Sequence, residues 1–330
     1  MRLLVCTTAV LSGMLAVTAC EKTPGPAPRA AAAADTVPAW RWSMDTIRTV
    51  VNAVRAGRSL VPTSWPGGAR VAVLLSFDVD NETIPLRFGQ PTVGELSQGQ
   101  YGARVGLRRI TDLLARYRIP ATFFIPAVSL LITPGMVDMI KRSGDNEFAV
   151  HGWIHERNTA VPAAEERELI KRAVDTLTKL TGSKPVGYRA PSWNFSPATM
   201  SIVKDLGFLY ESSLMADDGP YELIAAGAPS GVIELPVEWI LDDAPLFSPL
   251  GNAYSPPREV LGVWKDEFDK AYQEGGMFLL TMHPHISGHR SRIVALEGLI
   301  SYIRSKPGVW FGTHRAAAEF VAPLLKTASP

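Results

Sequence analysis

From residue 70 onward, short apolar runs alternate with amphipathic stretches, and this alternation restricts the possible folds more than any other feature of the chain. The runs at 71–77 (Val-Ala-Val-Leu-Leu-Ser-Phe), 121–127, 147–150, 185–188, 209–211, 232–235, 277–282 and 309–311 read as buried strands. Between them, the segments 105–117, 135–142, 163–180, 197–206, 258–273 and 291–304 read as helices. Leu107, Ile110, Leu113 and Leu114 fall on one helical face, as do Leu169, Ile170, Val174, Leu177 and Leu180. Strands joined through helices run parallel, because the crossover returns the chain to the same end of the sheet. The pattern predicts an α/β fold: an irregular (β/α) barrel of seven to eight parallel strands with outer helices, over residues 66–325.

The first residues do not belong to that pattern. Met1-Arg2 is a positive start, 3–15 is mostly apolar yet too short to span a bilayer, and Val17-Thr18-Ala19-Cys20 closes on small residues. Residues 1–19 resemble a lipoprotein signal peptide with its lipobox, which implies cleavage before Cys20 and a lipid on its sulfur. An ordinary signal peptide with an incidental cysteine is the plainer reading. Residues 20–38, rich in Pro and Ala, read as a flexible tether, and 39–65, with Ile47, Val50, Val51 and Val54 at helical spacing, as an N-terminal helical extension. The expected location is the bacterial cell envelope, lipid-anchored and facing the periplasm.

The only other cysteine, Cys6, lies inside the leader, so the core has to hold without a disulfide. A net charge of +1 and no basic stripe argue against nucleic acid as a partner.

Five of the six histidines fall in two groups, His151-Gly-Trp-Ile-His155 and His283-Pro-His285 with His289 close behind. Asp78 and Asp80, His151 and His155, Arg189, and His283 each follow a predicted strand, which places them at the mouth of a barrel. Imidazoles, a carboxylate and an open coordination position suit a divalent ion that activates water, and so a metal-dependent hydrolase. Taken singly, these residues have plainer readings. A His-x-x-x-His pair is often a solvated helix face, a strand-end aspartate caps a loop, and an arginine lies at the surface.

Together, Ser76-Phe-Asp78-Val-Asp80, His151-Gly-Trp-Ile-His155, Arg189-Ala-Pro191-Ser-Trp193 and Leu280-Thr-Met-His283 match in order and spacing the motifs of the polysaccharide deacetylase family, carbohydrate esterase family four. The resemblance covers residues 66–321. Asn81-Glu82, Glu156, Leu235-Pro-Val-Glu-Trp239-Ile-Leu-Asp242-Asp243 and His283-Pro-His285-Ile-Ser287-Gly resemble the subgroup of Helicobacter-type peptidoglycan deacetylase, cofactor-independent allantoinase and cyclic imide hydrolases.

The resemblance implies that Asp80, His151 and His155 hold a divalent metal, zinc foremost. It implies Asp78 as general base, Arg189 as the partner that keeps the base ionised, and His283 as the acid that protonates the leaving nitrogen. Val79 separates the two aspartates, which are adjacent in most of the family, so the base and ligand roles are open to exchange. Asp242 or Asp243 is the candidate partner of His283. Trp153 and Trp193 either stack on a sugar or wall the pocket, and Trp239 reads as core. His285, His289, Arg290 and Arg292 suit an acidic substrate group or an adjacent subunit of a homo-oligomer. The expected reaction is hydrolysis of a non-peptide amide bond. An N-acetylhexosamine polymer such as peptidoglycan is the leading substrate, a small cyclic amide or ureide the rival. A glycan-binding lipoprotein without catalysis is disfavoured, because binding alone needs no activated water.

Overall fold

The computed structural model describes residues 37–247 and 254–326. The expected signal peptide at 1–19, Cys20 and the tether up to residue 36 lie outside the described residues. The chain divides into a small unit ending at Ile47 and a large one beginning at Arg48. Within the small unit, the Trp42 indole donates to the Val37 carbonyl at 2.7 Å, and the Ser43 hydroxyl accepts from Thr46 N at 3.1 Å. Among the described residues, no helix is long and apolar enough to cross a membrane.

The large unit is built on one sheet of strands β1 (Val54–Ser59), β2 (Val71–Asp78), β3 (Thr122–Ile125), β4 (Glu147–Val150), β5 (Gly187–Tyr188), β6 (Tyr210–Glu211), β7 (Tyr221–Ala225), β8 (Ala228–Glu234), β9 (Met277–Met282) and β10 (Val309–Gly312). Their order is β1-β7-β8-β6-β5-β4-β3-β2-β10, with β9 also paired to β2. β8, β6, β5, β4, β3 and β2 run parallel, as do β9 and β10 against β2. β1 and β7 add an antiparallel edge. A parallel bridge from Asp242 to Thr281 carries the segment after β8 onto β9, so the sheet curls into a half-barrel with helices around it.

Every residue of β2 is buried, as expected of a parallel strand covered on both faces. Its period of two divides the burial. Val71, Val73, Leu75 and Phe77 join the core that includes Leu107, Ile110 and Leu114 of the helix Leu107–Tyr117. Ala72 and Leu74 join a second core with Phe124, Ala149, Tyr210, Ile233 and Leu279. The next two residues of that second row are Ser76 and Asp78, so one face of the strand changes from apolar to polar as it nears its C-terminal end.

The expected helical extension at 39–65 is corrected. The only α-helix there is Met44–Val51, and residues 54–59 form β1, paired with β7. Val54, whose spacing from Val50 and Val51 suggested a helix, instead opens a strand that makes its hydrogen bonds to a distant segment. Trp65 is buried in the second core, and residues 48–65 are part of the large unit.

Candidate metal centre and active site

The period of two along each parallel strand delivers the polar residues to one end of the sheet. On β2 the row ends in Ser76 and Asp78. His151 directly follows β4, Arg189 follows β5, Ser212 follows β6, and His283 follows β9. The turns beyond are tight. Asn81, His155, Ser192 and Trp193 all take positive φ, a conformation that costs a non-glycine residue about 1–3 kcal/mol and recurs where function fixes a backbone. Gly152 turns the chain between the two histidines at φ 75°, where a Cβ would come within 2.8 Å of Pro191.

Ligand atoms of Asp80, His151 and His155, all buried, lie within 4.8 Å of one another. His155 Nε2 is 3.4 Å from Asp80 Oδ2, and His151 Nε2 is 3.6 Å from Asp80 Oδ1, a buried oxygen with no hydrogen-bond partner. One carboxylate, two imidazoles and an orphaned oxygen fit a borderline divalent cation. His151 supports that fit, because its Nδ1 donates to the Arg189 carbonyl at 2.8 Å and leaves the Nε2 lone pair facing the aspartates. At His155 the Nδ1 neighbour is Arg87 Nη1 at 2.7 Å, a group that can only donate, so a neutral His155 here carries its proton on Nε2, and ligation through Nε2 requires that proton to shift to Nδ1 and Arg87 to turn away. Burial lowers His151 to about 4 and His155 well below its usual value, so both rings are neutral at physiological pH.

The two aspartates have different partners. Asp78 Oδ1 accepts from Arg189 Nη1 at 2.7 Å, and its Oδ2 is 3.5 Å from His151 Nε2. Burial raises the Asp78 carboxyl, but the charge of Arg189, with His151 and His283, outweighs it and holds Asp78 below the ordinary carboxylate value. Asp80 has no arginine hydrogen bond of this kind, and His283 Nε2 stands 3.6 Å from its Oδ2. Burial, with Asp78 adding to it and His283 opposing, pushes Asp80 up to about 7.

On the far side, His283 Nδ1 donates to Asp243 Oδ1 at 2.6 Å, while Asp243 Oδ2 accepts from the His283 backbone at 2.9 Å. His283 Nε2 is 3.6 Å from Asp80 Oδ2. Burial disfavours charge on this ring, yet Asp243, Asp242 and Asp80 together raise it well above its usual value. Between the two candidate partners, Asp243 is in contact, whereas Asp242 stands 3.6 Å off and accepts from Ala244 N at 2.9 Å.

One aromatic residue departs from expectation. Trp239, read as core, is 48% exposed and lies against Trp193 with ring centroids 4.2 Å apart. It opens the turn Trp239–Leu241 just before Asp242 and Asp243, where an irregular segment has no period to bury it. Trp153 instead has the Arg172 guanidinium 3.7 Å above its ring. His289 stacks on Tyr101 at 3.9 Å, and Arg292 donates to the Ile286 carbonyl at 2.9 Å. The sequence reading did not single out Arg87, Ser212 or His314. The last lies two residues beyond β10, where it opens the helix His314–Val321, so it too sits at the C-terminal end of a parallel strand.

The chain is similar to known proteins over most of its length. Residues 100–210 match the family model described as polysaccharide deacetylase. The chain is 29% identical over 283 residues to the peptidoglycan deacetylase of Helicobacter pylori, covering 76% of this chain and 96% of the relative. Among solved structures, a Mycobacterium smegmatis protein assigned to the polysaccharide deacetylases aligns at 33% identity with a TM-score of 0.75, over 84% of this chain and 98% of that one. Puue allantoinase aligns at 26% identity and a TM-score of 0.70, over 80% and 97%.

Proposed function

The chain belongs to the polysaccharide deacetylase family, and on that premise we propose that it removes N-acetyl groups from an N-acetylhexosamine polymer, peptidoglycan foremost. The observation that carries this reading is the convergence of Asp80, His151 and His155 between an arginine-bound carboxylate and a carboxylate-bound histidine. A divalent ion held by Asp80, His151 and His155, zinc best matching those donors, supplies Lewis acidity toward the amide carbonyl and a water.

The remaining chemistry belongs to the side chains. Asp78, kept ionised and aimed by Arg189, takes the proton of the attacking water. His283, kept protonated by Asp243, gives a proton to the nitrogen as the C–N bond breaks, leaving acetate and a free amine. Asp243→Asn removes the charge that raises His283, so the ring loses its proton at lower pH. The alkaline limb of the rate profile should move down and turnover above neutrality fall about tenfold or more. An unmoved alkaline limb would take His283 out of the acid role.

Trp239, half-exposed over Trp193, offers an aromatic face to a sugar ring. Trp239→Ala should raise KM for an acetylated oligosaccharide about five- to tenfold, the size of one aromatic stack, with kcat nearly unchanged. Equal KM in parent and variant would leave Trp239 without a substrate role.

Cleavage and lipidation at Cys20 would hold the domain in the bacterial envelope, facing the periplasm and within tether reach of that polymer. A homo-oligomer fits the subgroup. A second reading, hydrolysis of a small cyclic amide or ureide, is favoured by the similarity to Puue allantoinase. The metal-loaded enzyme decides between them when assayed on acetylated cell-wall glycan and on cyclic amides. Acetate from the glycan alone supports deacetylation, and turnover confined to the cyclic amides overturns it.

A further inference from the structure

The guanidinium of Arg189 is fully buried and spends each of its five N–H groups. Nε donates to the Ser212 carbonyl at 2.9 Å. Nη1 donates to Ser76 Oγ at 3.0 Å and to Asp78 Oδ1 at 2.7 Å. Nη2 donates to Ser212 Oγ at 2.9 Å and reaches His314 Nε2 at 3.4 Å. Both serines can accept because their own hydrogens go to the carbonyls of Leu280 and Leu235.

The fifth contact works only if His314 Nε2 is unprotonated, and the surrounding bonds fix that. The single hydroxyl hydrogen of Thr122 goes to Glu147 Oε2 at 3.0 Å. Glu147 is committed as an acceptor, because Arg315 N donates to it at 2.7 Å and the Tyr210 hydroxyl at 2.8 Å. Thr122 Oγ1 therefore presents lone pairs to His314, one taken by His314 N at 2.8 Å and the other facing Nδ1 at 3.1 Å. Nδ1 must carry the ring proton, and the Nε2 lone pair points at Arg189. Burial, and then the charge of Arg189, holds His314 well below its usual value, which keeps it neutral.

We propose that His314 is a positioning residue for catalysis: through the chain Glu147–Thr122–His314 it supplies the last acceptor that holds Arg189 against Asp78. This rests on the reading of Asp78 as base.

Ring-nitrogen NMR of the ¹⁵N-histidine-labelled protein should show His314 with Nδ1 protonated and Nε2 bare, and the opposite tautomer would overturn the proposal without any substitution. In kinetics, His314→Phe should lower kcat about tenfold, the worth of one hydrogen bond to a charged group, with KM and metal content kept. His314→Gln, whose amide oxygen can accept from Arg189, should recover most of that loss. In an Arg189→Met background His314→Phe should cost nothing further. Equal losses in the Phe and Gln variants, or the same loss without Arg189, would mean that His314 only fills space. Full turnover in Asp78→Asn would instead remove the base assignment, and this inference with it.

Discussion

Asp78→Asn is expected to keep the metal content of the parent and lose turnover by about 10³-fold, within the usual contribution of a general base and equal to about 4 kcal/mol of barrier. The substitution is isosteric, and the amide oxygen can still accept from Arg189 Nη1, so the fully satisfied guanidinium stays in place. What disappears is the ionised carboxylate that Arg189 holds below its ordinary value. KM should change little, because Asp78 acts on the water and not on the bound acetamide. Loss of the ion in this variant would mean that Asp78 and Asp80 have exchanged roles, the one alternative that the interposed Val79 left open.

His155→Ala should lose both the ion and all measurable activity. Of the three donors that meet around Asp80 it removes one, and a carboxylate with a single imidazole is a poor site for a borderline cation. The change has a structural side as well. His155 is buried at φ 62°, and its Nδ1 is the acceptor of Arg87. His155→Asn is the companion variant, since asparagine tolerates the left-handed conformation better than alanine. Metal stoichiometry by elemental analysis at the parent value in both variants would refute the ligand role.

Much of the site was legible because it is carried by strands. Val71-Ala-Val-Leu-Leu-Ser-Phe77 has the continuous apolar character of a doubly covered strand, and the polar residues directly after such runs have only the barrel mouth to occupy. Asp80, His151, His155, Arg189 and His283 converge as that logic requires. Where strand periodicity stops, legibility stops with it. The choice between Asp242 and Asp243 depends on the turn Trp239–Leu241, whose shape no alternation encodes, and the same turn leaves Trp239 exposed. β1 escapes a local reading because its pairing is non-local, whereas β7 is joined to β8 by the two-residue turn Ala226-Gly227. Val54-Arg-Ala-Gly-Arg-Ser59 carries little apolar signal, and only the register with Tyr221–Ala225 makes it a strand. Arg87 lies in a loop beyond Asp80, and nothing in its local sequence announces the 2.7 Å approach to His155.

The geometry contains a second group of acids and histidine, Asp242, Asp243 and His283, which is assigned here to proton transfer and not to a metal. Anomalous diffraction at the metal edge, on crystals of the catalytically active, metal-loaded enzyme, separates the two most directly. One anomalous peak enclosed by Asp80, His151 and His155 is the predicted result. A peak between Asp242, Asp243 and His283, with none beside Asp80 in active protein, would contradict the account at its centre.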